Sequence, residues 1–401
     1  MSTATLERPA SIQSGAHPSG ITRADVLQAT QAVTSRFGDE YFAKLDKEEA
    51  FPHDYVKALM DAKLHTVMIP EEYGGMGLGL EHACTIVEEM HRSGGVGSMI
   101  HGQMFMMGIL ARHGTDEQKR KILEEVCAGK VRLQSFSLTE PNAGTDTSKL
   151  QTKAVKEGNE WVITGQKLWT SRFDYTDAFM VFARTSPPKD PAKAYQGISA
   201  FLVDKRNVDP KQYSSRKIDV MFNHHTYEVF YDHMRVPETS LIGEEGKGFK
   251  YLLDGLNAER IIIASEAIGD GRWFVEKAVN YAKERVLFGK PIGANQGVQF
   301  PIALGYAHLE AADALRWKAA EKFDRNEHCG GEANIAKMLA SDASWELANV
   351  CMQTHGGFGL AKEYHIERRF RDTRVFQIAP VSPNMVLNYV SQHVLGLPRS
   401  Y

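Results

Sequence analysis

Four cysteines in 401 residues, Cys84, Cys127, Cys329 and Cys351, are too few and too scattered for a disulfide framework or a zinc cluster, and no CxxC pair occurs. That usage fits a reducing compartment. Apolar runs of the roughly eighteen residues that a membrane span needs are also missing. The opening MSTATLERPASIQSGAHPSG lacks the apolar centre of a signal peptide and reads as a frayed tail, with a transit peptide as second reading. Charge of one sign is lacking too: the formal net charge is −3, so no broad basic field draws nucleic acid or an anionic membrane. Neither GxGxxG, GxxxxGK nor GxSxG is found, which removes the marks of a Rossmann site, a P-loop and a nucleophile elbow.

What is present is an ordinary globular composition, 43% apolar and 24% charged, long enough for more than one core. From about Ile21 to Lys130 apolar residues recur at helical spacing, as in Tyr55, Val56, Leu59 and Met60, interrupted by the loop Ile69–Gly79 with its proline and glycines. Between about Val131 and Ile242 the pattern becomes short β-like runs at 161–164, 178–183, 198–203 and 227–230. Long helices return from Gly248, one of them with a stripe of Val275, Ala278, Val279, Ala282 and Val286 that needs a partner helix. The expected architecture is α+β, divided into a tail at 1–20, an N-terminal helical domain at 21–132, a central antiparallel β domain at 133–243 and a C-terminal helical domain at 244–401.

Most isolated candidates for chemistry are weak. His224 and His225 point apart and have no third ligand at metal-site spacing, so they read as surface residues; no metal site is expected. The pairs His82/Cys84 and His328/Cys329 fail in the same way. More informative is Leu138–Asp146 (LTEPNAGTD), where hydroxyls, an Asn and a glycine follow a β-like run and can aim donors at a polyanion or a heterocycle.

With that loop as one of seven collinear stretches, the chain resembles the acyl-CoA dehydrogenase family of flavoproteins. The others are IPEEYGGMGLG (69–79), GQKLWTS (165–171), ERIIIA (259–264), ERVLFGK (284–290), QTHGGFG (353–359) and RDTRVFQ (371–377). The resemblance implies a helical domain, a β domain and a C-terminal four-helix bundle, assembled as a homotetramer. It implies FAD bound without a Rossmann fingerprint, an acyl-CoA substrate and an electron-transfer flavoprotein as acceptor. The location read from all this is the cytoplasm of a bacterium, ahead of a mitochondrial matrix.

Carried over residue by residue, the resemblance puts Phe136, Leu138, Thr139 and Thr145 along the flavin, Trp169 against its ring and Ser171 near its N5 edge. Arg285, Phe288, Gln296, Gln353 and Gly357 would come from a neighbouring subunit. Met104, within the cluster Met99–Met107, and Arg260 would lie near the acyl group.

The implied reaction removes the α-proton of an acyl thioester while the β-hydrogen leaves as hydride to flavin N5. Most members carry the base shortly after the RDAK-like segment, but the matching residue here is Pro380, which is neither a base nor an N–H donor. Ser382 in the same loop keeps a hydroxyl. A minority place a Glu in LxxER; Leu256-Asn257-Ala258-Glu259-Arg260 matches, and Glu259 is the expected base. Its plain alternative is a surface Glu in the first turns of a helix. Glu140, Glu266 and Asp372 rank below it, Asp372 as an ion-pair partner of Arg371 or Arg374. Competing functions are other flavin chemistry on the same fold, as an oxidase, monooxygenase or thioester desulfinase, and a silent flavin- or CoA-binding subunit.

Overall fold

The computed structural model describes residues 20–400. The expected tail, Gly20 aside, lies outside the described residues. Six helices come first: α1 (Arg23–Thr34), α2 (Asp39–Glu48), α3 (His53–Asp61), α4 (Leu80–Arg92), α5 (His101–His113) and α6 (Asp116–Cys127). Thr22 with Asp25, and Thr115 with Gln118, form capping boxes that satisfy the first free N–H groups of α1 and α6. The loop at 69–79 turns where its proline and glycines require it, with the Gly77 N–H donating to the Ile69 carbonyl.

An eight-stranded sheet follows: β1 (Leu133–Ser137), β2 (Lys153–Glu157), β3 (Glu160–Ser171), β4 (Ala178–Arg184), β5 (Ile198–Asp204), β6 (Tyr213–Lys217), β7 (Thr226–Pro237) and β8 (Leu241–Ile242). Its order is β6-β7-β3-β2-β4-β5-β8, with β1 also on β4. The antiparallel expectation holds along most of it, but β1 and β2 both pair with β4 in parallel. β1 is delivered by α6 and not by a hairpin, so its direction is free of the hairpin constraint. The period of two then sorts the strands' side chains: Ala178, Met180 and Phe182 of β4 join the core under the helices, whereas Phe179, Val181 and Ala183 join a second core on the opposite face.

The last third holds α7 (Gly248–Glu284), a hairpin of β9 (Val286–Leu287) and β10 (Lys290–Pro291), α8 (Gln296–Asp324), α9 (Gly330–His355), α10 (Ile366–Thr373) and α11 (Pro383–Tyr389). α7, α8 and α9 are the long members of the C-terminal bundle, and α10 packs on α9 and α7. α7 spans two cores: residues up to Ile262 belong to the first, and those from Ile263 onward to the bundle. The apolar stripe 275–282 lies on it as expected. Val286 does not, because α7 ends at Glu284 and Val286 is exposed in the hairpin.

α4 is buried on nearly every face, so its charges must be answered. Glu88 accepts from Arg272 (3.0 Å) and Arg316 (2.8 Å), and His91 Nδ1 lies 2.7 Å from Asp270. Gly269 lets α7 come this close, since a side-chain carbon there would stand 2.4 Å from the Glu88 carbonyl oxygen.

Candidate active site

Glu259 is the twelfth residue of α7, well past the first turns, and is part-buried. Its carboxylate has no hydrogen-bond or ion-pair partner among the described residues. Burial pushes it up to about 7, against the pull of Arg260 and Lys337. Arg260 donates to Asn257 Oδ1 (3.0 Å) and leaves its Nε unused. Lys337, on α9, is 1% exposed, and burial lowers it to about 8. Its Nζ donates to the Val381 carbonyl (2.9 Å), tying the loop of Pro380 and Ser382 to the ground beside Glu259. Sequence reasoning missed Lys337; the available signal was one cation inside the apolar helical run Ala333–Ala340.

The other carboxylates are committed. Glu140 accepts from the N–H groups of Gln151 (2.5 Å) and Thr152 (2.9 Å) and from Lys167 Nζ (2.9 Å). Burial opposes its ionisation, but Lys167 and these donors hold it below the usual carboxylate range. Glu266 lies 2.8 Å from His101 Nδ1. Asp372 pairs with Arg368 (3.4 Å) and Arg369 (3.8 Å), correcting the expectation of Arg371 or Arg374. The helical offsets of three and four residues put those two arginines on its face of α10, while Arg371 turns to Asp46 and Glu367.

A second surface is built where β3 breaks register with β7 between Lys167 and Thr170. Trp169 there takes a left-handed backbone (φ 60°) and holds its indole 54% exposed. A tryptophan both strained and open to solvent points to a ligand for its ring. Beside it Thr139 accepts from the Leu168 N–H (2.8 Å), and Lys167 Nζ donates to the Leu138 carbonyl (2.9 Å), which fixes the 138–146 loop against β3. Thr145 is exposed in that loop, and Phe136 lies in the neighbouring β1, ring to ring with Phe105 of α5. Ser171 Oγ lies 3.0 Å from His224 Nε2.

The surface reading of the histidine pair is overturned. His225 is buried against Phe51 and Tyr175, and His224 is held at Ser171. Met104 has no exposed surface and belongs to the first core; in α5 His101, Gly108, Ala111 and His113 are part-open and Arg112 is exposed. In the single chain the sheet and α7 pack over that face of the helix.

A separate cleft of about 610 Å³ is lined by Arg285, Gln353, Gly357, Phe358 and the end of α7. Arg285 follows the last turn of α7, with its guanidinium 5.9 Å from the Phe358 ring. Gly357 is open, and Phe288 stands fully exposed at the hairpin tip; Gln296, at the first turn of α8, is exposed too. A cation, amide groups and a glycine-floored backbone suit a diphosphate and its nucleoside. From Glu259 to Arg285 the helix rises ~39 Å, so within one chain the two surfaces are separate.

No group of three or more potential metal ligands occurs among the described residues, and none of their helices is long and apolar enough to cross a membrane.

Comparison with known proteins covers the whole fold. Residues 23–130, 135–233 and 246–395 match the N-terminal, middle and C-terminal domains of acyl-CoA dehydrogenase. Acyl-CoA dehydrogenase fadE12 of Mycobacterium bovis is 34% identical over 384 residues, 94% of this chain and 97% of that protein. Butyryl-CoA dehydrogenase from Megasphaera elsdenii superposes with a TM-score of 0.86 at 28% identity, over 93% of this chain and 98% of that one. A chain in a structure described as the electron transferring flavoprotein of Acidaminococcus fermentans gives 0.88 at 30% identity, over 93% and 97%.

Proposed function

The chain belongs to the acyl-CoA dehydrogenase family, an FAD-dependent family, and from that premise we propose that Glu259 is the base that takes the α-proton of its acyl-CoA substrate. The observation that carries this reading is a part-buried carboxylate with no donor of its own, raised to about 7, while Glu140, Glu266 and Asp372 are each bound to cations or histidines. A base poised near neutrality suits abstraction next to a carbonyl. Arg260, adjacent to Glu259 and with an unused Nε, is the residue for the thioester or acyl end of the substrate.

FAD, when bound, supplies the acceptor for the β-hydride. The residues that would hold it are Phe136, Leu138, Thr139, Thr145, Trp169, Ser171 and Ser382 of one subunit, and Arg285, Phe288, Gln296, Gln353 and Gly357 of the next. The exposed Trp169 and the separate cleft at Arg285 support that division. Lys337, by holding Val381, keeps Ser382 in register with Glu259 and excludes a swing of the loop.

The family-wide homotetramer is the assembly we assign. Its support is the apolar surface of Val286, Leu287, Phe288, Phe300 and Leu304. An electron-transfer flavoprotein is the acceptor, in keeping with the description of one similar structure. The cytoplasm of a bacterium is the location. Division of the chain near 132 and 243 completes the reading.

The test is anaerobic titration of the purified flavoprotein with acyl-CoAs. The wild type bleaches, and Glu259→Gln bleaches ~10²- to 10⁴-fold more slowly; an unchanged rate overturns the assignment. A second reading rests on Pro380, which offers no N–H where the family uses one for the thioester oxygen. Under it the chemistry is that of an oxidase, monooxygenase or desulfinase. Peroxide formation, or product release with the flavin still oxidised, identifies it.

A further inference from the structure

One buried cation beside Ser171 has no use in the reaction just derived. Arg172 ends β3's excursion in left-handed backbone (φ 59°) and is 1% exposed. Its Nη2 donates to Ser98 Oγ, and its Nε has no partner. Arg316 and Arg369 are buried as completely, and each contacts carboxylates: Arg316 those of Glu88 and Asp313, Arg369 those of Asp270 and Asp372. Among the described residues Arg172 contacts none. Glu266 attracts it from a distance but is already bound to His101, and Arg132 repels it. Burial accordingly lowers Arg172 to about 10.

Apart from Glu266, the neighbours add no negative charge. His224 touches Ser171, and burial together with Arg172, His101 and His225 keeps its ring neutral. Ser98 lies in the turn that leads into α5, whose open end is His101. Glu266, bound to His101, is the nearby carboxylate, and it makes no direct contact with the Arg172 guanidinium; a buried guanidinium without a contacting anion is costly. The flavin's N5 edge is placed at Ser171 in the proposed function, and the substrate's β-carbon must come to that edge. Arg172 is the next residue in the chain after Ser171, and its unused Nε is the donor there for a group attached beyond the β-carbon.

We propose that Arg172 binds an acidic group on the far end of the acyl chain, so that the substrate class is an acyl-CoA carrying a carboxylate beyond its β-carbon. This rests on the dehydrogenase reading, specifically on Ser171 marking the hydride-accepting edge. The guanidinium offers a planar fork to the carboxylate while Ser98 holds its other end. His224, uncharged, leaves that role to Arg172 alone.

The experiment compares glutaryl- and adipyl-CoA with valeryl- and hexanoyl-CoA on the flavin-loaded enzyme. The wild type prefers the acidic members. Arg172→Met lowers the acidic-to-neutral ratio of kcat/KM by ~10²-fold, and Arg172→Lys restores part of it. Calorimetric titration of glutaryl-CoA into Glu259→Gln, with and without Arg172→Met, reads binding free of turnover and shows the same loss in Kd. Bleaching by neutral acyl-CoAs but not acidic ones overturns this proposal and leaves the dehydrogenase reading standing. Equal losses for both classes, or loss of bound flavin in both Arg172 variants, also overturn it, because Arg172 then serves the fold or the cofactor. Failure of every acyl-CoA to bleach the wild type overturns the underlying reading as well.

Discussion

The reactivity assigned to Glu259 follows from what its carboxylate does not touch. Glu140, the less exposed of the two, accepts three hydrogen bonds and is held below the usual carboxylate range; Glu259 accepts none and is raised to about 7. A proposed base is active when deprotonated, so kcat/KM should climb about tenfold per pH unit and level off above pH ~7, the value set by its surroundings. Lys337 favours the charged form, and Lys337→Met should move that inflection to higher pH; an inflection that stays put removes Lys337 from the base's environment. Stability carries the opposite sign. Because the folded-state value lies above that of the unfolded chain, its contribution is present at low pH and fades as the pH rises from the ordinary Glu range through about 7. Glu259→Gln should flatten that part of the stability profile, measured by urea unfolding at several pH values.

Among elements, the crossing of α4 and α7 decides how the site is held. Gly269 permits the contact, so Gly269→Ala should cost about 1–3 kcal/mol in denaturant unfolding, as the α4 backbone must give way. An unchanged midpoint would mean that the helices slide apart freely. Element types were legible in the sequence because burial on one face leaves a period: β4 and β5 alternate between two cores, and α7 carries its stripe at helical spacing. The parallel direction of β1 and the end of α7 before Val286 were not, since neither alters a local pattern. Site residues divide in the same way. Glu259, Trp169 and Arg285 were singled out through motifs, but Lys337 and Arg172 draw their significance from partners distant in the chain, Val381 and Ser98. Composition alone does not separate the methionines of α5 as core from the same residues as a cleft wall, since both are apolar; their burial is a property of the fold.

At the scale of the whole molecule, a single chain leaves its β9–β10 hairpin exposed, with Phe288 wholly in solvent and Val286 and Leu287 about half so. A patch of this kind marks a contact with another chain. Phe288→Asp should therefore shift the assembly toward smaller species in light scattering and release flavin on dilution, with the helical content intact. Retention of both size and flavin would mean that the hairpin lies outside the contact.

The 37 residues of α7 run without a break from the core around the base to the cleft at Arg285. A helix of that length is a ruler with fixed graduations. Between Glu259 and Arg285 each residue adds ~1.5 Å and ~100° of turn. A point substitution along it changes what the rod touches, but adding or deleting one residue rotates Arg285 out of its cleft while the base stays in place. Loops elsewhere can lengthen over evolutionary time; this stretch can change its letters but not their number.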